Sequence, residues 1–184
     1  MRMQADKAEL EFGPHQTLLG YVHASVGSGR PILIAGPDRD VTATYVREDP
    51  PGGGPVAAIA AALSHVETEM LTVLAVDTPF GSSWLLHQEL DQGINAVIPR
   101  DVTGKAHYLC ALYRTSALRS AINQLPTAAN SSMKELISFL GEIQFIDSPT
   151  TEELTASEVL LDVNTPGDLE LAHSIRTRLS SRNY

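Results

Sequence analysis

The hydrophobic positions of the chain form short runs separated by segments rich in proline, glycine and charged residues. Short apolar runs bounded by turn residues predict buried strands. The run over 69–81, "EMLTVLAVDTPFG", is continuous and ends in an acid and a proline, which predicts a central parallel strand with Asp77 at its carboxyl end. Further strands are predicted within 31–40, 42–49, 94–101, 107–114, 143–148 and 159–165.

Helical segments alternate with these strands, at 55–67, 115–125, 131–141 and 166–182. The first is rich in alanine, the residue with the highest helix propensity. The last has the clearest start, because Thr165 and Pro166 suit a first helical turn and Asp168 lies near the positive end of the helix dipole. The alternation predicts one three-layer α/β domain over 1–184 with a mostly parallel sheet. Ligands of such sheets bind beyond the carboxyl ends of the strands.

Composition and charge narrow the class of protein. The chain has 184 residues, of which 43% are hydrophobic and 19% charged, as in ordinary soluble domains. It shows neither a membrane-spanning run nor a secretory signal, so a cytoplasmic, membrane-free protein is expected. The net charge of -9 does not favour binding of nucleic acid, which is itself negatively charged. An anionic ligand would therefore need a local pocket with positive charge. Cys110 is the only cysteine and is expected to be a buried structural thiol.

Two stretches at predicted strand ends could carry chemistry. In "VDTPF", Asp77 could present oxygens to a Mg²⁺ ion that also holds phosphate, or it could cap the following turn. In "PPGGGPVAA", the glycines, among them Gly54, could permit close approach of an anion to a helix start, or could form a simple turn. The loop "AGPDR" and Asp49 are expected at the same edge of the sheet as Asp77.

Two further stretches have functional and structural interpretations. Lys7, beside Asp6, could contact phosphate oxygens, or the two could form a solvated surface pair. In "VNTPGDL", Asn164 could face a ligand, whereas Thr165 and Asp168 are explained by helix capping. The six histidines lack a metal-binding spacing and no serine lies in a nucleophile elbow, so none of them is assigned a catalytic role.

In their order along the chain, these stretches resemble the molybdenum cofactor guanylyltransferases, within the wider MobA-like group of NTP transferases. "RMQADKAEL" is similar to the second half of the nucleotide-binding signature of that family, which would place Arg2 and Lys7 on the triphosphate. "AGPDR" falls where the family has a loop ending in Asn-Arg, so Asp38 would stand at a nucleotide-contacting position with Arg39 beside it. The asparagine of that loop is replaced here by Asp38.

The other motifs extend the resemblance over nearly the whole chain. "REDPPGGGPVAAI" is similar to the family's acid and Gly-Pro-Leu-Ala-Gly segment, which makes Asp49 a candidate for base recognition and Gly54 part of the nucleotide loop. "VDTPF" resembles the metal-binding segment, with Asp77 as metal ligand, and "VNTPGDL" the carboxyl-terminal Asn-Thr-Pro motif, with Asn164 on the pterin side.

The resemblance implies a Rossmann-like nucleotidyltransferase fold that transfers GMP from GTP to molybdopterin-bound molybdenum and releases pyrophosphate. Mg²⁺ at Asp77 and the charges of Lys7 and Arg2 would stabilise the transferring oxygens. Proteins that deliver the pterin or accept the product, such as molybdoenzymes, are possible partners. Two alternatives stay open: transfer of another nucleotide, such as CMP, to a related pterin, and a non-catalytic nucleotide-binding or partner-binding module.

The start of the chain departs from the family pattern. Gln4 stands where the family has glycine, and the family's Leu-Ala-Gly-Gly segment and its preceding strand have no counterpart before Arg2. The domain is therefore expected to be incomplete at its amino terminus, with a natural start upstream of Met1 and the glycine loop joined in frame to Arg2. The rival expectation is a shortened protein whose first residues form a mobile tail.

Overall fold

A computed structural model describes residues 6–27 and 29–181. It contains a short 3₁₀ turn at Lys7–Glu9. The strands are β1 Leu33–Ala35, β2 Thr44–Val46, β3 Met70–Leu74, β4 Ala96–Arg100, β5 Cys110–Arg114 and β6 Ile143–Asp147. The α-helices are α1 Leu18–Val26, α2 Pro55–Leu63, α3 Ser82–Leu85, α4 Thr115–Gln124, α5 Met133–Ser138, α6 Ala156–Val159 and α7 Pro166–Ser180. Within these described ranges, no helix has the length and apolar character needed to cross a membrane.

The larger sheet has four strands in the order β3-β5-β4-β6. Strand β5 runs antiparallel to both β3 and β4, whereas β4 and β6 are parallel, so β3, β4 and β6 share one direction. Strands β1 and β2 form a separate parallel pair, in which Ala35 lies opposite Val46. The mixed α/β class predicted from the sequence is confirmed.

Two hydrophobic clusters lie on opposite faces of the four-stranded sheet. Cys110 and Leu112 of β5 belong to one cluster, and Ala111 and Tyr113 belong to the other. This alternation is the two-residue period of a strand covered on both faces. Helices α3, α6 and α7 contribute to the first cluster, and helices α2, α4 and α5 contribute to the second. The sheet is therefore the middle of three layers.

Two of the predicted strands are wrong in detail. The segment 159–165 is not a strand, because Val159 ends α6 and residues 161–164 have no regular structure. Its apolar side chains pack into the first cluster as irregular chain, with Val163 fully buried. The run over 69–81 is not a central parallel strand, because β3 pairs only with the antiparallel β5 among the described strands. The strand ends at Leu74, and the apolar pattern beyond it reflects burial in turns.

Helix α1 was not among the predicted elements. Thr17 caps it, with its hydroxyl oxygen accepting a hydrogen bond from the backbone N–H of Gly20 at 3.1 Å. The helix ends at Gly27, whose φ of 82° lies in the left-handed region that favours glycine. The sequence signal that could have identified this helix is an apolar segment with a threonine before it and a glycine after it.

A substitution at Gly81 tests how tightly β3, β5 and the turn that follows β3 pack together. A Cβ atom at this position would lie 2.5 Å from Cys110 Sγ and 3.1 Å from Leu74 Cδ1. We expect Gly81→Ala to lower the free energy of unfolding by about 1–3 kcal/mol, because the first cluster has to expand. Denaturant unfolding monitored by circular dichroism measures this change.

Gly20→Ala is the matched control for this substitution. Gly20 lies within α1, and an added Cβ there meets Gln16 Cγ, part of a flexible side chain, at 3.3 Å. Alanine favours the helix by about 0.5–1 kcal/mol, so this variant should unfold no more easily than the parent protein. Equal stability of the Gly81→Ala variant and the parent would contradict the tight packing of this turn.

Candidate active site

Lys7, Asp77 and Asn164 form a polar cluster from three distant parts of the chain. The Lys7 ammonium donates hydrogen bonds to Asp77 Oδ2 and to Asn164 Oδ1, both at 2.7 Å. The side chains of Lys7 and Asp77 are 25% and 28% exposed, so the ion pair is accessible from solvent while partly shielded from it. The structure thus brings together three candidate residues that lie in separate sequence motifs.

The turn that carries Lys7 is held at both ends. Asp6 Oδ1 accepts a hydrogen bond from the backbone N–H of Ala8 at 3.1 Å, which caps the 3₁₀ turn. Arg39 reaches from the loop after β1 and forms ion pairs with Asp6 Oδ2, at 2.5 Å, and with Glu9. The Arg39 side chain is only 14% exposed. Asp6 therefore pairs with Arg39, and Lys7 is left to point toward Asp77.

Asp77 and Asn164 are positioned by backbone contacts and by the start of α7. The backbone N–H of Val163 donates to the carbonyl oxygen of Asp77 at 2.8 Å. Thr165 and Asp168 form a reciprocal capping box, as predicted. Asp168 Oδ2 also accepts a hydrogen bond from the backbone N–H of Asn164 at 3.0 Å. The residue that caps the helix therefore also orients Asn164.

The hydrogen bonds at this cap change the acidity of Asp168. Burial alone would raise the pKa of Asp168, but hydrogen bonds from the backbone of Asn164 and from Thr165 outweigh it. The positive charge of Lys7 acts in the same direction as these hydrogen bonds. The pKa of Asp168 consequently lies below its usual value, and the carboxylate is ionised at neutral pH.

A second polar group adjoins the cluster, and none of its residues is among the candidates predicted from the sequence. Thr78 Oγ1 donates to Asp162 Oδ1 at 3.1 Å, and the Lys105 ammonium donates to Asp162 Oδ2 at 2.7 Å. The buried His107 lies behind them, with Nδ1 at 3.7 Å from Asp162 Oδ1 and Nε2 at 3.2 Å from Asp101 Oδ2. Asp162 stands two positions before Asn164, and this proximity to a recognised motif is the signal that could have identified it.

Asp101 anchors the loop between β4 and β5. Its Oδ1 atom accepts hydrogen bonds from the backbone N–H groups of Thr103 and Lys105 and from the Thr103 hydroxyl. Burial would raise the pKa of Asp101, but these bonds and the contact with His107 hold the pKa well below its usual value. The ionised carboxylate therefore stabilises the conformation of this loop.

The residues assigned to nucleotide recognition lie at the carboxyl ends of β1 and β2. Asp38 is exposed in the loop after β1, and Asp49 is exposed just after β2. Because the two strands are parallel, both loops leave the pair at one edge. Gly54 precedes α2 with φ 86°, a conformation that requires glycine. Arg2, the remaining candidate, lies outside the described residues, as does Gln4.

Asp49 lines a cavity of about 490 Å³. Its polar lining also includes Tyr45, Arg47 and His65. Small residues of α2 and its carboxyl end form one wall: Ala57, Ala60, Ala61 and Ser64. Lys7, Asp77 and Asn164 do not line this cavity. The structure therefore has two separate groups of candidate residues, one around the Lys7 ammonium and one around Asp49.

The cluster contains oxygen donors suited to a hard cation. Asp77 and Asn164 oxygens already converge on one positive group, the Lys7 ammonium. In the described part of the chain, no three His, Cys, Asp or Glu side chains are grouped so that they could hold a metal ion by themselves. A divalent cation at Asp77 would therefore complete its coordination with substrate oxygens and water, as Mg²⁺ does at phosphate sites.

Comparison with known proteins defines the class. The sequence model of the MobA-like NTP transferase domain family matches residues 1–143. The chain therefore belongs to that family and is a nucleotidyltransferase. A probable molybdenum cofactor guanylyltransferase of Mycolicibacterium paratuberculosis is 34% identical over 182 residues, covering 91% of this chain and 87% of the relative. A protein of the same description from Mycobacterium avium is 34% identical over 183 residues, with the same coverage of 91% and 87%.

Solved structures support the fold. The chain resembles molybdopterin-guanine dinucleotide biosynthesis protein A of Archaeoglobus fulgidus with a TM-score of 0.69 and 21% identity, over 96% of this chain and 93% of that one. It also resembles the 2-C-methyl-D-erythritol 4-phosphate cytidylyltransferase of Thermus thermophilus, with a TM-score of 0.64 and 17% identity, over 92% and 93% of the two chains. At these identities the likeness concerns the fold, which is the Rossmann-like nucleotidyltransferase fold expected from the sequence.

Asp168→Ala tests the cap that orients Asn164. We expect the free energy of unfolding to fall by about 1 kcal/mol at neutral pH, because two backbone N–H groups lose their acceptor. The pKa of Asp168 is lowered in the folded protein, so its contribution exists above the unfolded pKa of about 3.9 and is lost as the pH falls below that value. The stability difference between parent and variant should therefore shrink at acid pH.

Urea unfolding at neutral pH and near pH 3 measures this difference. Glu170→Ala, an exposed acid on the same helix, is the control and should change the stability little. A stability difference for Asp168→Ala that is the same at both pH values would contradict the role of the ionised carboxylate.

Proposed function

We propose that the protein is a molybdenum cofactor guanylyltransferase, which transfers GMP from GTP to molybdopterin-bound molybdenum and releases pyrophosphate. The two mycobacterial relatives of that description, similar over nearly the whole chain, support the substrate assignment. The structural observation that carries the proposal is the convergence of Lys7, Asp77 and Asn164 on one accessible point.

Lys7 is suited to bind the phosphates of the nucleotide. An ammonium has three N–H donors, and two of them are used by Asp77 and Asn164. The third can donate to a phosphate oxygen, and the ammonium can release Asp77 when a cation binds that carboxylate. A fixed positive charge beside the phosphates stabilises the negative charge that develops on the leaving oxygens.

Asp77 and Asn164 supply the oxygens that would hold Mg²⁺. Both are partly exposed, and a carboxylate with an amide oxygen is a donor set that fits a hard divalent cation. Bound together with the triphosphate, the ion would neutralise charge on the transferring group. Since the Lys7 ammonium and a cation compete for Asp77, movement of Lys7 toward a phosphate would free the carboxylate.

The reaction needs no nucleophile from the protein. An oxygen of the acceptor phosphate attacks the α-phosphorus of GTP, the bond from that phosphorus to the bridging oxygen breaks, and pyrophosphate leaves with the electron pair. Cys110 is not a candidate nucleophile, because burial and the charge of Asp162 raise the pKa of Cys110 to about 12. Binding, orientation and charge stabilisation are the tasks of the residues around Lys7.

Asp49 is suited to guanine recognition. A carboxylate accepts hydrogen bonds, and guanine presents adjacent ring and amino N–H donors. Asp49 lines the cavity beside α2, in the loop that leads from β2 to Gly54. The base would bind there, while the phosphates extend toward Lys7.

Asp77→Asn tests the assignment of Asp77. The substitution removes a charge but keeps the volume and an oxygen that can accept from Lys7, so the fold should remain intact. We expect the rate of GMP transfer in the presence of Mg²⁺ to fall about 100-fold or more, with loss of the Mg²⁺ dependence of GTP binding. Single-turnover transfer assays and titration calorimetry measure the two effects.

Asp91→Asn serves as the control, since Asp91 is an exposed acid in the loop before β4. It should retain both activity and binding. Near-normal transfer by the Asp77→Asn variant would show that Asp77 is a structural partner of Lys7 and would remove the metal assignment.

Nucleotide preference tests the choice of GTP. We expect GTP to bind more tightly than CTP or ATP, and Asp49→Ala to weaken GTP binding by about 1–3 kcal/mol through loss of a hydrogen-bond acceptor. Asp40→Ala, an exposed acid in the loop after β1, is the control. Tighter binding of CTP would favour CMP transfer, and absence of nucleotide binding would favour a non-catalytic module.

A further inference from the structure

The candidate active site contains a second lysine, which no motif of the sequence had selected. The chain has three lysines, Lys7, Lys105 and Lys134, and a net charge of -9. Two of the three lie in adjoining ion pairs, Lys7 with Asp77 and Lys105 with Asp162. In so acidic a chain, an anionic substrate depends on local positive charge, so a second lysine at this point calls for a functional explanation.

The backbone of Lys105 is fixed although its side chain is exposed. The Asp101 carboxylate accepts from the backbone N–H of Lys105 at 3.1 Å, and an isolated antiparallel bridge between Arg100 and Ala106 closes the base of the loop. His107, next to this bridge, holds the second oxygen of Asp101. The side chain of Lys105 is 60% exposed. An anchored backbone with an exposed ammonium is preorganised to bind an anion.

Hydrogen bonds connect the ammonium of Lys105 to the Lys7 cluster along two short routes. It donates to Asp162, which also accepts from the hydroxyl of Thr78, the residue that follows Asp77. Between Asp162 and Asn164, the Val163 N–H donates to the carbonyl oxygen of Asp77 at 2.8 Å. Lys7 therefore contacts both segments, at Asp77 and Asn164. Lys105 contacts the second of these segments, at Asp162.

The loops that carry the two lysines have different connections. Arg39 ties the Lys7 turn to the loop after β1, on the side of Asp38 and Asp49 where the nucleotide is proposed to bind. Lys105 comes from the β4–β5 loop, and its ion pair leads to Asp162. The donor and acceptor phosphates must meet from opposite directions for in-line attack, so a second cationic group is expected on the acceptor side.

We propose that Lys105 binds the phosphate monoester of the acceptor and directs its oxygen toward the α-phosphorus. This assignment rests on the proposed function and extends it to the second substrate. Asp162 holds Lys105 at the site and keeps its hydrogen bond from Thr78 when the ammonium turns to the phosphate. Because an exposed ion pair contributes little to stability, the exchange of partners is accessible.

The test compares Lys105→Met with Lys105→Arg in the full chain. GTP affinity is measured by calorimetry, and transfer is followed with labelled GTP at varied concentrations of molybdopterin. We expect Lys105→Met to raise the KM for molybdopterin about 10-fold or more, with GTP affinity within about twofold of the parent. Lys105→Arg keeps the charge and should recover part of the loss. Lys134→Met, an exposed lysine of α5, is the control and should change neither quantity.

Several results would overturn the assignment. An unchanged KM for molybdopterin would mean that Lys105 serves only in a surface ion pair with Asp162, provided that thermal melting shows that all variants are folded. Weaker GTP binding with an unchanged KM for molybdopterin would place Lys105 on the donor nucleotide. A parent protein that neither binds GTP nor transfers GMP would overturn the proposed function and this assignment with it, a result distinct from a selective failure of Lys105.

Discussion

One backbone hydrogen bond organises the candidate active site, the bond from the Val163 N–H to the carbonyl oxygen of Asp77. It joins the turn after β3 to the irregular segment before α7, and the side chain of Val163 is fully buried in the first hydrophobic cluster. The polar residues on either side of this bond face the site: Asp77, Thr78, Asp162 and Asn164. An apolar anchor thus fixes the separation of polar groups that could not hold one another in water.

Around this bond, acids and lysines are arranged in adjoining pairs. Asp77 binds Lys7, Asp162 binds Lys105, and the capping carboxylate of Asp168 orients Asn164. The Asp162 carboxylate also accepts from the Thr78 hydroxyl, and the Asp168 carboxylate from the Asn164 backbone N–H. The main chain of Asp77 is held by the Val163 N–H. The lysines can therefore exchange an acid for a phosphate while the acids stay in place. Such an arrangement suits a reaction in which charge moves between two anionic substrates.

The three-layer packing explains why irregular segments can carry a defined site. Strands β4 and β5 send alternate side chains into two clusters, so the sheet is held from both faces. The 3₁₀ turn, the β4–β5 loop and the segment before α7 rest on this frame and are each fixed by an acid: Asp6, Asp101 and Asp168. Members of a nucleotidyltransferase family can therefore vary these loops for different substrates while they retain the fold.

The sequence by itself determined the α/β class, most of the strands and helices, and Lys7, Asp77 and Asn164 as candidates. These features are local, since apolar periodicity, the cap at Thr165 and short motifs are properties of neighbouring residues. Only the tertiary structure decided that 159–165 is not a strand and that β3 pairs on one side, because a buried coil and a buried strand share one apolar pattern. It alone placed Lys7 beside Asp77, 70 positions away, and Lys105 beside Asp162. Contacts between distant residues depend on how the layers pack, which no local pattern encodes.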